Sequence, residues 1–281
     1  MTIAITGATG ALGRLAIAAL KRRAPGSKIV ALVRDPAKAA DLGVEARTAD
    51  YTKPETLAAA LKGVETLALI SSNDFNDRAG QHRNVIDAAK KAGVKRIVYT
   101  SILKGFESGM WLALDHQATE KALAASGVPH TILRNGWYTE NYTGALKASV
   151  AHGALIGASG TGKIATAARA DYAEALAVAL LDASHAGKIY ELAGDTAFTM
   201  ADFAAEVSRA AGKAVPYNDL PQAAYADALK SFGLPEGFAN AIADADAHAA
   251  KGQLFDDSRT LSRLIGRPTT PIAVTIKAAL A

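Results

Sequence analysis

Three glycines at regular spacing, in the run Gly7-Ala8-Thr9-Gly10-Ala11-Leu12-Gly13, follow a short β-branched stretch and open an amphipathic one. That arrangement is suited to holding a phosphate. Gly7 permits a tight turn, Gly10 lets the main chain approach a pyrophosphate with no Cβ in the way, and Gly13 permits close packing of helix on strand. The helix that starts here would present free N–H groups and the positive end of its dipole. Because the spacing is GxxGxxG and not GxGxxG, its weight comes from context: a strand before it, a helix after it, and a repeated strand–helix array beyond. The motif predicts a dinucleotide site.

The segment "LVRDPAK" bears on which dinucleotide. An NAD site usually offers a carboxylate to the ribose hydroxyls, whereas an arginine can take the 2′-phosphate of NADP. Arg34 comes first after the second β-branched run, and a guanidinium can clamp a phosphate with two hydrogen bonds. Asp35 then reads as the cap of a helix beginning near Pro36. The expected cofactor is NADPH, with NADH tolerated. Asp50, in "RTADY", suits either the adenine amino group or a turn. Ser71 and Ser72 are small enough to let a nicotinamide ribose approach, and loop formation explains them as well.

These residues need elements to place them. Residues 3–6, 29–33, 44–48, 66–70, 97–100 and 131–133 read as strands, and residues 12–23, 54–61, 78–92 and 116–125 carry helical apolar spacing. Strand and helix alternating in this way predict an α/β fold, a doubly wound parallel sheet with helices on both faces. After residue 133 the pattern changes. "RNGWYTENYTGALK" is polar and aromatic without a period, and "HGALIGASGTGKI" reads as a glycine-rich hairpin or loop. "RADYAEALAVALLDA" is a helix, "KIYELAG" a strand, and the remainder is mainly helical, including residues 200–211 and 222–232. The expected organisation is a Rossmann domain over residues 1–134 and a smaller, mainly helical substrate lobe over 135–281, with about 164–195 returning to the main domain.

Composition narrows the classes. The 281 residues carry a net charge of +4, with "KRR" at 21–23 and "KK" at 90–91 the longest basic runs, too thin for a nucleic-acid surface. There is no cysteine, so thiolate metal sites, cysteine nucleophiles and redox dithiols are excluded, and redox chemistry would have to come from a cofactor. His82, His116, His130, His152, His185 and His248 are dispersed without metal-ligand spacing, so no metal is expected. "GTGK" at 160–163 lacks the spacing of a P-loop. The N-terminus has neither a basic start nor a long apolar run, and no stretch approaches the ~20 apolar residues of a spanning helix. The expectation is a cytoplasmic protein with no membrane partner.

Taken together, "GATGALG", "LVRDPAK", "QHRNVIDAAKKAGVKRIVYTS", "TEKALAASGVPHTILRNGWYTENY", "GTGKIATAARADYA" and "LFDDSRTLSRLIGRPTTP" resemble the NmrA-like branch of the atypical short-chain dehydrogenases. Within it the resemblance is to the bacterial type 2 NAD(P)H:quinone oxidoreductases, with the triphenylmethane dye reductases next. It runs from residue 3 to the C-terminus, and "LRNGWYTENY" is far more particular than the glycine loop. It implies NADPH-dependent two-electron reduction of a quinone or similar planar acceptor, without flavin or metal. It further implies that Gly7, Ala8, Thr9, Gly10, Ala11 and Leu12 bind the pyrophosphate and Arg34 the 2′-phosphate. Gly136, Trp137, Tyr138, Thr139, Glu140 and Asn141 would line the nicotinamide and substrate cleft, with Asn141 tied to activity. Ala11 stands where relatives often have Gln, which removes a side-chain contact but no backbone donor. A homodimer is left open.

A typical short-chain dehydrogenase protonates its alkoxide with a Tyr and a Lys four residues later. None of the eight tyrosines here has that lysine; by alignment Leu112 stands near the Tyr position and His116 near the Lys position. Ordinary ketone reduction is therefore disfavoured. A quinone asks for less, because hydride addition yields an aromatic hydroquinone anion that needs only hydrogen-bond stabilisation and a proton from water. Asn141 can donate two hydrogen bonds and Tyr138 one, so both are expected to orient substrate or nicotinamide rather than to titrate. The alternative for Asn141 is that it satisfies backbone groups of its own loop. His116 reads as a partly exposed helix residue with a substrate or relay role as the alternative. Phe106, Met110 and Trp111 form an apolar group where an aromatic acceptor could stack, or simply cover the cleft edge. Two rival functions remain: reduction of triphenylmethane-type dyes or other electron-poor aromatics, and a non-catalytic NADP(H)-sensing regulator.

Overall fold

The β-branched runs of the first half form strands and the stretches between them form helices. A computed structural model describes residues 1–74 and 76–281. The chain begins β1 (Thr2–Thr6), α1 (Ala11–Arg23), β2 (Lys28–Val33), β3 (Glu45–Thr48), α2 (Pro54–Ala60), β4 (Thr66–Leu69) and α3 (Arg78–Lys91). It continues with β5 (Arg96–Ile102), α4 (Ala113–Ser126), β6 (His130–Asn135), α5 (Glu140–Thr143), α6 (Leu146–His152) and β7 (Leu155–Gly157). Then come α7 (Arg169–Leu181), β8 (Ile189–Leu192), α8 (Met200–Ala211), β9 (Tyr217–Asp219), α9 (Gln222–Ser231) and α10 (Glu236–Ala249), ending in α11 (Thr260–Ile265) and α12 (Ile272–Leu280).

Among the described residues, seven strands make one sheet in the order β3-β2-β1-β4-β5-β6-β8. The pairs from β3 to β6 are parallel, with Ile5 opposite Ala31 on one side and Ala68 on the other. The strand order reverses direction between β1 and β4, and in such sheets ligands bind outside the carboxyl ends of the strands at that point. One face of the sheet is closed by an apolar layer in which Leu57, Leu61, Val85, Ile86 and Leu123 pack on Leu32, Leu67, Leu69 and Ile97. The other is covered by α1 and α7, which pack on each other. Glu174 on α7 joins them by accepting from both Arg22 and Arg23 on α1.

The chain divides into two compact units. The first comprises Met1–Ile102, Asp115–Asn135 and Arg169–Tyr190. The second comprises Leu103–Leu114, Gly136–Ala168 and Glu191–Ala281. The second contains a small parallel pair, β7 with β9, in which Leu155 lies opposite Tyr217. The glycine-rich stretch around residue 155 is thus not a hairpin: its three-residue strand finds its partner far along the chain, beyond α8. At the start of the Leu103–Leu114 excursion, Lys104 takes a left-handed conformation, φ 68°, and donates its N–H to the Glu191 carboxylate at 2.8 Å.

Candidate functional site

The residues expected to hold the dinucleotide follow the carboxyl ends of four adjacent strands. After β1, Gly7 has φ +58°, a conformation that glycine adopts without penalty. Gly10 donates its N–H to Gly7 O at 2.9 Å and stands as the N-cap of α1, which has no side-chain cap. Its first N–H groups are therefore left for an anion. A Cβ on Gly13 would lie 2.4 Å from Gly7 O and 2.7 Å from Ala8 Cα, so only glycine lets the helix sit this close to the turn. Ala8 and Leu12 are buried beneath the loop, whereas Gly7, Gly10 and Ala11 are exposed and Thr9 is half-buried.

Arg14 braces the loop. Its guanidinium donates to Thr9 O at 3.1 Å and to Lys38 O at 3.2 Å and pairs with Asp41, joining the glycine turn to the 3-10 turn Pro36–Leu42. Asp35 caps that turn, accepting from the Ala37 N–H at 3.0 Å. Arg34, just before it at the end of β2, is exposed, and its guanidinium has no hydrogen bond or ion pair among the described residues. After β3, Asp50 Oδ1 accepts from the N–H and hydroxyl of Thr52, at 3.0 and 2.8 Å, closing a turn. Partial burial works against ionisation of Asp50, but these donors and the Lys53 and Arg34 charges hold its carboxyl below the ordinary value.

After β4 the loop is held by buried side chains of α3. Ser71 donates its N–H to Thr100 Oγ1 at 3.0 Å. Ser72 has every polar group occupied: its N–H donates to His82 Nε2 at 2.9 Å, its carbonyl accepts from Arg78 Nε at 2.7 Å, and its hydroxyl donates to Gln81 Oε1 at 2.8 Å. The Thr119 hydroxyl donates to Asp115 O, so His82 must donate from Nδ1 to Thr119 Oγ1 at 2.8 Å. The imidazole is thereby fixed neutral with its proton on Nδ1, in agreement with burial and the nearby Arg78 cation, which push it down to about 3. Nothing in the dispersed histidine pattern singled out His82.

His116 is a correction to its expected exposure. It is 7% exposed, because α4 lays it against β5, where its Nδ1 meets the Tyr99 hydroxyl at 2.7 Å. Burial and the neighbouring Arg78 and His82 hold it well below its ordinary value. Beyond it, Glu120 accepts from Ser101 Oγ at 2.6 Å and from Arg134 at 3.0 and 2.7 Å, fixing the carboxyl ends of β5 and β6.

Residues 136–141 follow β6 directly and belong to the second unit. Gly136 donates its N–H to Leu192 O at 2.7 Å, the Ala167 N–H donates to Trp137 O, and buried Thr139 bonds Ala167 O and the Thr166 hydroxyl. The turn closes with the Asn141 N–H on Tyr138 O at 3.0 Å. The Asn141 side chain is exposed and makes no hydrogen bond among the described residues, so it does not serve its own loop. In the Leu103–Leu114 segment Met110 is buried, but Phe106 and Trp111 are 51% and 45% exposed, so the three do not share one buried face.

This framework matches known proteins. The model of the NmrA-like family matches residues 1–271. The chain belongs to the NmrA-like family. Among NmrA-like relatives, quinone oxidoreductase 2 of Escherichia coli is 55% identical over 277 residues, covering 98% of this chain and 97% of that protein. The crystal structure of an NADPH-dependent quinone oxidoreductase from E. coli in complex with NADPH has a TM-score of 0.96 at 54% identity, covering 99% of this chain and all of that one. A Citrobacter triphenylmethane reductase complexed with NADP(H) has a TM-score of 0.94 at 38% identity, over 99% of this chain and 100% of that one. The residues of this NmrA-like chain fit a dinucleotide: an uncapped helix N-terminus behind a glycine turn without a Cβ, and an uncommitted guanidinium beyond the neighbouring strand. Among the described residues there is no cluster of three or more potential metal ligands, and no helix is long and apolar enough to cross a membrane.

Proposed function

We propose that this chain is an NADPH-dependent oxidoreductase that reduces quinones by two electrons to hydroquinones, in the cytoplasm. The observation that carries the reading is the 55% identity over nearly the whole chain to quinone oxidoreductase 2, in a protein whose glycine turn and Arg34 suit NADPH. When bound, NADPH supplies the hydride. The α1 N-terminus and the Gly7–Gly13 turn take the pyrophosphate, and Arg34 takes the 2′-phosphate. Ser71 and the clamped Ser72 give the nicotinamide ribose a fixed edge by shape, since the Ser72 hydroxyl is engaged within its own loop.

As the family resemblance implies, residues 136–141 would line the nicotinamide and acceptor. The exposed Asn141 amide, with Tyr138, donates hydrogen bonds to an acceptor oxygen as it gains negative charge, and water supplies the proton. No acid with a matched pKa is required, which accords with the absence of a Tyr-xxx-Lys pair. A single dinucleotide fingerprint leaves hydride transfer direct, without flavin or metal. The likeness to the triphenylmethane reductase favours a second reading, that other conjugated, electron-poor acceptors are also reduced.

Steady-state NADPH oxidation by the purified protein, with and without a small benzoquinone and corrected for the uncatalysed rate, tests the proposal. Saturable quinone-dependent turnover is expected. Tight NADPH binding with no turnover across several acceptors would instead identify a dinucleotide sensor.

A further inference from the structure

The second unit holds a buried carboxylate that the proposed mechanism does not use. Asp246, on α10, is 1% exposed. Its Oδ2 accepts the Ala158 N–H at 3.0 Å and its Oδ1 accepts the Tyr142 hydroxyl at 3.1 Å. The fit is close: a Cβ on Gly157 would lie 2.7 Å from Asp246 Oδ2 and 2.9 Å from the Tyr217 hydroxyl. Among the described residues no ion pair reaches Asp246. The titratable groups facing this cluster are Tyr142 from α5, Tyr217 and Asp219 from β9, and Tyr225 from α9, while on α10 itself Asp244 accepts the Trp111 N–H and lies 3.4 Å from His248 Nδ1. A buried carboxylate held by two hydrogen bonds and no cation is an expensive way to fill space.

Tyr142 is the residue after Asn141, on the same turn of helix. The geometry points to Asp246 as a positioning residue for Asn141: by holding the Tyr142 hydroxyl against the Ala158 main chain, it sets where the neighbouring Asn141 amide stands. The inference rests on the reading of Asn141 as the group that orients the acceptor. Oδ2 must go on accepting the Ala158 N–H, so a proton on Asp246 goes to Oδ1 and turns the charge-assisted bond with Tyr142 into a weaker neutral one, loosening the hold. Burial raises this carboxyl to about 6, against the lowering effect of the Ala158 and Tyr142 donors and with a smaller contribution from Asp219. Positioning is therefore firm above that pH and weakened below it.

The test uses the full-length chain with NADPH and a benzoquinone between pH 5 and 8. In the wild type, kcat should fall about tenfold on acidification through pH 6, the difference between a charge-assisted and a neutral hydrogen bond, with NADPH affinity unchanged. Asp246→Asn should show a flat profile at the low level, and Tyr142→Phe a similar loss at pH 7.5. If Asp246 acts through Asn141, adding Asp246→Asn to Asn141→Ala costs nothing further. In the cofactor-free protein, the Asn141 side-chain amide resonances should titrate with a midpoint near 6 in the wild type and not in Asp246→Asn. Full activity in both Asp246→Asn and Tyr142→Phe, additive losses in the double variant, or resonances that still titrate in Asp246→Asn would each overturn the inference. Full turnover by Asn141→Ala would overturn the reading of Asn141 itself, and the resonance titration would still decide whether Asp246 controls that side chain.

Discussion

Arg34 and Ser72 show how differently a residue's role can be written in a sequence. The role proposed for Arg34 is legible because it asks only that the side chain be left alone: Arg34 directly follows a strand and its guanidinium has no hydrogen bond or ion pair among the described residues. Replacing it by alanine should weaken NADPH binding roughly thirtyfold, about 2 kcal/mol for lost charge-assisted hydrogen bonds, and leave NADH binding nearly unchanged. Equal losses for the two cofactors in fluorescence titrations would remove Arg34 from the 2′-phosphate. Ser72 was singled out for its small size, but the clamp on it is not legible, because its partners Arg78, Gln81 and His82 come from the next helix and look like ordinary polar residues. The Asp246–Tyr142 contact is hidden for a stronger reason, joining α10 to α5 across a long stretch of chain.

Strands and helices were legible where burial imposes a period. The first six strands and four helices lie within a few residues of where alternating apolar spacing places them. β7 and β9 have only three residues each, too few to show a period, and their pairing is set by tertiary contacts. The glycine turn joins β1 to α1 and allows two glycines to be told apart. Gly13→Ala would push a Cβ into the Gly7 carbonyl and Ala8 main chain, and should cost about 2 kcal/mol or more of stability. At Gly10 the nearest obstacle to a Cβ is Gly7 O at 3.1 Å, a tight contact but a milder one, so Gly10→Ala should lower the melting temperature less than Gly13→Ala does and yet lose NADPH affinity. Equal melting temperatures for the two variants would contradict this account of the turn.

Across the whole molecule, the buried titratable groups set the acid limit of stability. His82 and His116 are held neutral in the native state, but in the unfolded chain each takes up a proton near pH 6.5. Unfolding therefore binds more protons as pH falls below 6.5, and each histidine removes up to about 1.4 kcal/mol of stability per pH unit. Asp246 works oppositely between its unfolded value near 3.8 and about 6, where the native state holds the extra proton. Urea midpoints should fall on acidification from pH 7 to 4.5, and Asp246→Asn should steepen that fall; a midpoint constant over this range would refute the buried-histidine assignment. The alternating pattern announces a doubly wound sheet, but nothing in it marks Leu103–Leu114 as part of the second unit. The three-part first unit has a consequence for how the protein is made. A nascent chain that has left the ribosome only as far as Asn135 carries the entire glycine turn, yet α1 still lacks the α7 surface and the Glu174 ion pairs that cover it, and β6 is still an open edge awaiting β8. Synthesis must pass through Gly136–Ala168 before those pieces exist, so the first unit cannot close until that inserted part of the second has been made.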